Sequence, residues 1–80
     1  MRVEYKSSAL RDLKRIPQGD RDTIVSAVTA YADEGRGDIR ALKDQPGFRL
    51  RVGAWRVIFD ISADAVLIRH ILRRSERTYR

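Results

Sequence analysis

Three arginines stand close together in the stretch GFRLRVGAWRVIFD, residues 47–60. Arg49 and Arg51 alternate with apolar residues, so both lie on one face of a predicted β-strand, and Arg56 follows two residues after a Gly-Ala turn. Directly opposed side chains of an antiparallel hairpin lie about 4.5 to 5.5 Å apart, so Arg49 or Arg51 can approach Arg56. Clustered cations cost stability unless an anion binds there, and the guanidinium fork matches phosphate oxygens. The pattern therefore predicts a phosphate-binding site.

The distribution of charge along the chain supports the same ligand. The net charge is +6, from 17 Lys and Arg against 11 Asp and Glu. Residues 1–47 carry nine basic and eight acidic side chains, whereas residues 48–80 carry eight arginines, no lysine and three acids. A cationic segment built from arginine alone favours planar, forked recognition of phosphate over diffuse attraction.

Other catalytic chemistries find little support in the sequence. The chain has no cysteine, so it has neither a thiolate nucleophile nor a cysteine zinc site. The acids of the second half are dispersed among arginines that would repel a divalent cation: Asp60, Asp64 and Glu76. There is also no glycine-rich phosphate loop and no serine nucleophile constellation. We therefore expect no metal and no other cofactor.

Length and composition limit the architecture. Eighty residues form one domain at most, which we place at residues 1–80, with a core small enough that a stabilising partner would help it. The N-terminus lacks the apolar segment of a signal peptide, and the longest aliphatic run, residues 65–68, is far shorter than the roughly 18 residues of a membrane span. We expect a soluble, cytoplasmic protein that does not bind membranes.

The first elements that must position the arginines are a strand and a helix. Residues 2–6 alternate polar and apolar side chains and predict a strand. Ser7 or Ser8 can cap the helix that follows, which should end near Pro17. Its predicted apolar side consists of Leu10, Leu13 and Ile16. Its predicted outward side consists of Arg11, Asp12, Lys14 and Arg15.

A second helix and a loop come next. Asp20 is a good N-cap, and the helix should end at Gly35. Its apolar residues recur at helical spacing: Ile24, Ala27, Val28 and Tyr31. Residues 36–47 are interrupted by glycine and proline, which predicts a crossing loop with one helical turn as an option around Ala41 and Leu42.

The rest of the chain predicts three strands, at residues 48–52, 55–61 and 65–71. Gly53 and Ala54 fit a two-residue type II′ turn, which favours glycine at its first central position. The predicted fold class is therefore α+β: an N-terminal strand, two antiparallel helices on one sheet face, and a three-strand antiparallel meander.

Together these features resemble a known family. The order of elements, the triplet Arg49-Leu50-Arg51, the strand WRVIF and a terminal arginine cluster that ends in tyrosine are similar to the RelE/ParE superfamily of toxins from toxin-antitoxin systems. The resemblance covers nearly the whole chain and is carried by three segments: ALRDLKRIP, LKDQPGFRLRVGAWRVIFDI and LIRHILRRSERTY.

The resemblance implies a RelE-like fold and a ribosome-dependent endoribonuclease that cuts mRNA without a metal, by attack of the 2′-hydroxyl on the adjacent phosphate. The catalytic positions of RelE-like members fall on Arg49, Arg51, Arg56, Arg73 and Tyr79. The register of the tail arginine leaves Arg73 and Arg74 both open. Four further cations are expected to bind RNA: Lys43, Arg69, Arg74 and Arg77. For Arg69 alone, simple exposure to solvent is the commoner explanation.

The resemblance also implies partners. A cognate antitoxin should bind this chain through an acidic or amphipathic segment that covers the basic face or displaces the tail. The ribosome and mRNA are the expected targets, and operator DNA should be contacted only indirectly, through the antitoxin.

Two residues are candidate bases for the proton of the 2′-hydroxyl, since the pKa of arginine exceeds about 12. Tyr79 is preferred, because neighbouring guanidinium groups favour the phenolate. His70 has the better intrinsic pKa, but it alternates with Val66 and Ile68, which predicts a structural histidine packed on the apolar side. Trp55 and Phe59 are assigned to the core.

Two rival functions stay open. A ParE-like toxin, which poisons DNA gyrase by protein contact, shares the RLRV and WRVIF segments and needs no catalytic constellation. The tail from Arg73 to Tyr79 favours the ribonuclease. A plain RNA-binding module is disfavoured because exposed aromatic residues are not interleaved with the basic patch.

Overall fold

The computed structural model describes residues 1–74. A strand and two helices precede four further strands, which confirms the α+β prediction. The elements are β1 Arg2–Tyr5, α1 Ser7–Arg15, α2 Gln18–Glu34, β2 Asp38–Ala41, β3 Phe48–Val52, β4 Trp55–Ser62 and β5 Ala65–Arg73.

The strands form one mixed sheet in the order β1-β5-β4-β3-β2. β1 runs parallel to β5, because the two helices carry the chain across one face of the sheet before it returns as the meander. The other three strand pairs are antiparallel. The predicted meander is therefore the centre of the sheet, and β1 and β2 are its edges.

The interpretation of residues 36–47 as a crossing loop is wrong for their first part. Asp38–Ala41 forms β2 and pairs with β3, so there is no helical turn around Ala41 and Leu42. β2 has a single apolar residue facing the core, Ile39, so its sequence carries too little alternation to be detected. The free edge of β3 supplies the hydrogen bonds that make it a strand.

The core lies between the helices and one face of the sheet. α1 contributes Ala9 and Leu13, and Ile16 follows at its C-cap, while Leu10 is 48 % exposed, so its predicted place in the apolar stripe is wrong. The stripe of α1 runs through Ala9 and Leu13, four residues apart, and Leu10 lies beside it. The predicted core residues of α2 all pack on the sheet, two of them partly exposed: Ile24, Val28, Ala27 and Tyr31.

Aromatic residues pack as predicted. Phe59 is buried, and its ring centroid lies 5.2 Å from that of Tyr31 and 5.6 Å from that of Phe48. Trp55 is partly buried against the core. Both residues assigned to the core therefore lie there, which leaves β4 anchored along its helix-facing side.

The two predicted helix caps are wrong. Lys6 occupies the N-cap position of α1 without a side-chain cap, and Pro17 occupies that of α2. The Asp20 carboxylate instead lies in the first turn of α2, where its negative charge interacts favourably with the helix dipole. The C-terminal prediction is confirmed, since Gly35 ends α2 in the left-handed conformation with φ 70°.

α1 covers the part of the β5 edge that β1 leaves open. β1 pairs with β5 only as far as Ile68, whose carbonyl accepts a bond from the Lys6 amide at 2.9 Å. Beyond it, the Ser8 hydroxyl donates to the Arg69 carbonyl at 2.6 Å, and the Asp12 carboxylate accepts from the Ile71 amide at 2.9 Å. Side chains of α1 thus replace a strand, which fixes α1 against β5.

The two tight turns of the meander use different residues at their positive φ positions. Gly53 has φ 57°, as the predicted type II′ turn requires. In the next turn, Ala63 has φ 53°. A left-handed alanine is strained because its β-carbon approaches the following carbonyl oxygen.

We therefore expect Ala63→Gly to stabilise the protein by about 0.5 to 1 kcal/mol, the strain relieved less the extra chain entropy of glycine. Thermal unfolding should show a melting temperature higher by about 2 to 6 °C. Ala54→Gly, at a turn position where φ is not positive, is the matched control and should not raise it. A lower melting temperature for Ala63→Gly would contradict the strain.

No helix within residues 1–74 is long and apolar enough to cross a membrane.

Candidate functional site

A β-bulge in β5 decides which residues share the second sheet face. Ile58 pairs with His70 but Phe59 pairs with Ile68, so the backbone register skips Arg69, which is the extra residue of the bulge. His70 therefore lies on the face opposite Val66 and Ile68. The prediction that His70 packs on the apolar side with them is wrong, because strict alternation does not hold across a bulge.

The sheet face turned away from the helices carries two rows of residues that run across the strands. One row is Asp38, Arg51, Arg56 and Leu72. The next row is Arg40, Arg49, Ile58 and His70. We call this surface the arginine face, after its four arginines. The predicted trio lies together on it, as the alternation of β3 required.

The arginine face concentrates positive charge. Arg51 lies directly opposite Arg56, and Arg40 lies directly opposite Arg49. Arg40 is not among the predicted residues because it lies on β2, which the sequence pattern did not indicate. Like charges directly opposed across a sheet are destabilising, so this arrangement favours an anion that neutralises it.

Arg56 is the arginine best placed for such an anion. Its Nε atom is buried and has no hydrogen-bond partner among residues 1–74. Beside it on β4, Ile58 is only 2 % exposed although it lies on the arginine face. A buried donor without an acceptor costs free energy, and a phosphate oxygen supplies a strong acceptor.

The tail arginines lie apart from this cluster. Arg73 pairs with Trp55, and its guanidinium carbon lies 4.9 Å from the centroid of the Trp55 ring, so it falls on the helix-facing side of the sheet. It borders a groove of about 240 Å³ between α1 and the end of the meander. Arg74 is exposed in the turn after β5, and its amide donates to the Ala54 carbonyl at 2.7 Å.

Arg69 has contacts within the protein. Its Nε lies 3.0 Å from the Asp60 carboxylate, one guanidinium nitrogen donates to the Pro46 carbonyl at 3.1 Å, and its side chain is 23 % exposed. Gly47, at φ 113°, passes so close that a β-carbon there would lie 2.4 Å from that nitrogen. Arg69 thus attaches the loop before β3 to the sheet, which gives it a structural role that its predicted RNA contact did not include.

The remaining predicted residues are either exposed or not described. Lys43 lies exposed in the loop between β2 and β3, and its carbonyl accepts a bond from the Gln45 amide at 2.7 Å. Arg77 and Tyr79 lie outside the described residues. Tyr5 is not a second candidate base, since burial raises the pKa of its hydroxyl and keeps it neutral.

One pair of functional groups was missed altogether. The Asp12 carboxylate, predicted to face solvent, reaches β5 and lies 3.3 Å from Nδ1 of His70. The same oxygen accepts the Ile71 amide, so the carboxylate is held in place. Asp12 follows Ser8 by four residues, so both side chains lie on the helix side that covers the β5 edge. The sequence offers no signal for this pair, because it depends on the bulge and on that edge.

Comparison with known proteins gives the family. The sequence model described as ParE toxin of type II toxin-antitoxin system, parDE, matches residues 3–78. A search of curated proteins finds no match.

Solved structures share the fold. A chain of the RelE-RelB complex from Pyrococcus horikoshii OT3 is 18 % identical, with a TM-score of 0.78 over 95 % of this chain and 97 % of that one. A chain of the RelB-RelE antitoxin-toxin complex from Methanococcus jannaschii is 23 % identical, with a TM-score of 0.74 over 88 % of both. A chain of the toxin-antitoxin complex RelBE2 from Mycobacterium tuberculosis is 25 % identical, with a TM-score of 0.66 over 94 % and 92 %.

The RelE-like fold and the family match over residues 3–78 lead to one conclusion: the chain belongs to the ParE toxin family of type II toxin-antitoxin systems, within the RelE/ParE superfamily.

Proposed function

We propose that this toxin is a ribosome-dependent endoribonuclease that cleaves mRNA by metal-free attack of the 2′-hydroxyl on the adjacent phosphate. The observation that carries the proposal is the direct opposition of Arg51 and Arg56, with the Nε of Arg56 buried and without an acceptor among residues 1–74. Such a cluster stabilises the charge that builds on phosphate oxygens when phosphorus is attacked.

The arginines and the tail have separate roles in this proposal. Arg49, Arg51 and Arg56 bind the scissile phosphate and stabilise its developing charge, because guanidinium stays protonated at any working pH. Tyr79 removes the proton of the 2′-hydroxyl, as the resemblance to RelE-like toxins implies. Arg73 and Arg74 remain alternatives for the tail contact to RNA. Positioning and charge stabilisation then replace a metal ion.

We also propose a cognate antitoxin that inhibits the toxin by covering the arginine face. The structures from M. jannaschii and M. tuberculosis are complexes of toxin with antitoxin. The net charge of +6, concentrated after residue 47, suits an acidic inhibitory segment. Bound there, such a segment would exclude phosphate from Arg56.

Ribosome binding is expected to depend strongly on salt, because arginine contacts to RNA phosphates release counterions. If the four arginines of the arginine face each neutralise a phosphate, affinity should fall about 50-fold between 50 and 200 mM salt. Binding of the toxin to purified 30S and 70S particles, titrated over that range, measures the slope. Arg51→Ala should make the slope shallower by about 0.7. Equal affinity at both salt concentrations would contradict phosphate contacts by this face.

The rival function, poisoning of DNA gyrase, is tested in cells. The toxin is expressed with and without its antitoxin, and mRNA 5′ ends are mapped by primer extension while gyrase-dependent DNA breaks are scored in the same cultures. The ribonuclease predicts new ends within translated messages and no breaks. Breaks accompanied by intact messages would replace the proposed function with the rival one.

A further inference from the structure

The proposed cleavage moves two protons. One leaves the 2′-oxygen, and the other must reach the departing 5′-oxygen. The 2′-oxygen loses a proton and bonds to phosphorus, the bond from phosphorus to the 5′-oxygen breaks, and the products are a 2′,3′-cyclic phosphate and a 5′-hydroxyl. Tyr79 takes the first proton. The departing 5′-oxygen must gain another, and arginine cannot give one because its pKa exceeds about 12.

We infer that His70 is the general acid that protonates the 5′-oxygen and that Asp12 is its positioning residue, an inference that rests on the proposed ribonuclease function. His70 is the single histidine of the chain, which has no cysteine. Histidine is the side chain whose ordinary pKa lies between 5 and 8, so it can hold a proton and release it near neutral pH.

The bulge at Arg69 places His70 where this proton is needed. His70 lies beside Ile58 in the row that ends with Arg49 and Arg40. Arg56 stands in the adjacent row of the same face, a diagonal neighbour of His70. Diagonal neighbours lie about 7 to 8 Å apart across a sheet, so one phosphodiester can contact the Arg56 guanidinium and present its leaving oxygen to the imidazole.

Asp12 gives the imidazole a defined orientation. Its carboxylate is fixed by the Ile71 amide at 2.9 Å and lies 3.3 Å from Nδ1 of His70. In the imidazolium both ring nitrogens carry protons, so Nδ1 binds Asp12 and the proton on Nε2 is the one to transfer. On the described strands, Arg49 of β3 shares the row of His70, and Arg56 of β4 is its diagonal neighbour.

A substrate with a better leaving group isolates this role. Messenger RNA that carries sulfur in place of the scissile 5′-oxygen expels a thiolate, which needs no general acid because a thiol has a far lower pKa than an alcohol. On ribosomes programmed with normal mRNA, His70→Gln should lower the single-turnover rate about 10²- to 10³-fold. On the sulfur-substituted mRNA its deficit should shrink to less than about 10-fold. Asp12→Asn should show a smaller deficit, rescued in the same way.

Controls separate failure of this inference from failure of the proposed function. Asp22→Asn, at an exposed position of α2, should behave as wild type on both substrates, and thermal unfolding should show that every variant is folded. Wild-type toxin that cleaves neither mRNA would overturn the ribonuclease itself. Wild-type cleavage with an equal His70→Gln deficit on both substrates, or with no deficit on either, would overturn the general acid alone.

Discussion

Arg56→Ala is expected to lower the rate of ribosome-dependent mRNA cleavage about 10²- to 10³-fold, a loss of about 3 to 4 kcal/mol of transition-state stabilisation. The reason is that Arg56 lies opposite Arg51 on the arginine face and its Nε has no acceptor among residues 1–74, so we expect its guanidinium to bind the charge that develops on phosphate. Single-turnover cleavage on programmed ribosomes measures the effect.

The stability of the same variant should change little. Removing Arg56 relieves its repulsion with Arg51, which offsets the lost packing of a half-buried stem. Arg36→Ala is the matched control, because Arg36 is exposed outside the arginine face and forms an ion pair with Glu34. Near-normal cleavage by folded Arg56→Ala protein would remove Arg56 from the site.

Tyr79→Phe is expected to abolish most mRNA cleavage, by about 10²- to 10⁴-fold, if Tyr79 is the general base. The substitution removes a single hydroxyl and keeps the aromatic ring. The melting temperature and the affinity for antitoxin should therefore stay close to the wild-type values. The variant would thus lose mRNA cleavage and keep its stability.

The same substitution also discriminates between the two toxin functions. A gyrase poison needs no proton transfer, so Tyr79→Phe should leave its toxicity intact. Wild type and Tyr79→Phe are expressed side by side, and mRNA ends and gyrase-dependent DNA breaks are both scored. Toxicity retained by Tyr79→Phe, with breaks and without new mRNA ends from either protein, would contradict the ribonuclease.

The central hairpin could be predicted because its signals are local. Alternation along Phe48–Val52 and the Gly53 turn were enough to predict that Arg49 or Arg51 lies against Arg56, and the register shows that Arg51 does. The position of Gly53 at positive φ follows from backbone sterics alone. The core of the site was therefore available from the residues themselves.

The rest of the site depends on contacts between distant parts of the chain. β2 forms because β3 offers an open edge, and with it comes Arg40, which no alternation of its own could reveal. A single extra residue, Arg69, turns His70 to the arginine face. The predicted position of His70 on the apolar side, with Val66 and Ile68, is wrong for that reason. Asp12 faces inward because the uncovered edge of β5 needs an acceptor for the Ile71 amide.

Purified translation with and without ribosomes is the decisive test of ribosome-dependent, metal-free mRNA cleavage. A defined mRNA is incubated with the toxin in the presence of a chelator, either free or bound to 70S ribosomes, and its ends are read by primer extension. The arginine face and the metal-free chemistry predict new 5′ ends on ribosome-bound mRNA alone, lost in Arg56→Ala. Messages that stay intact on ribosomes, at toxin concentrations that saturate them, would contradict the proposed ribonuclease.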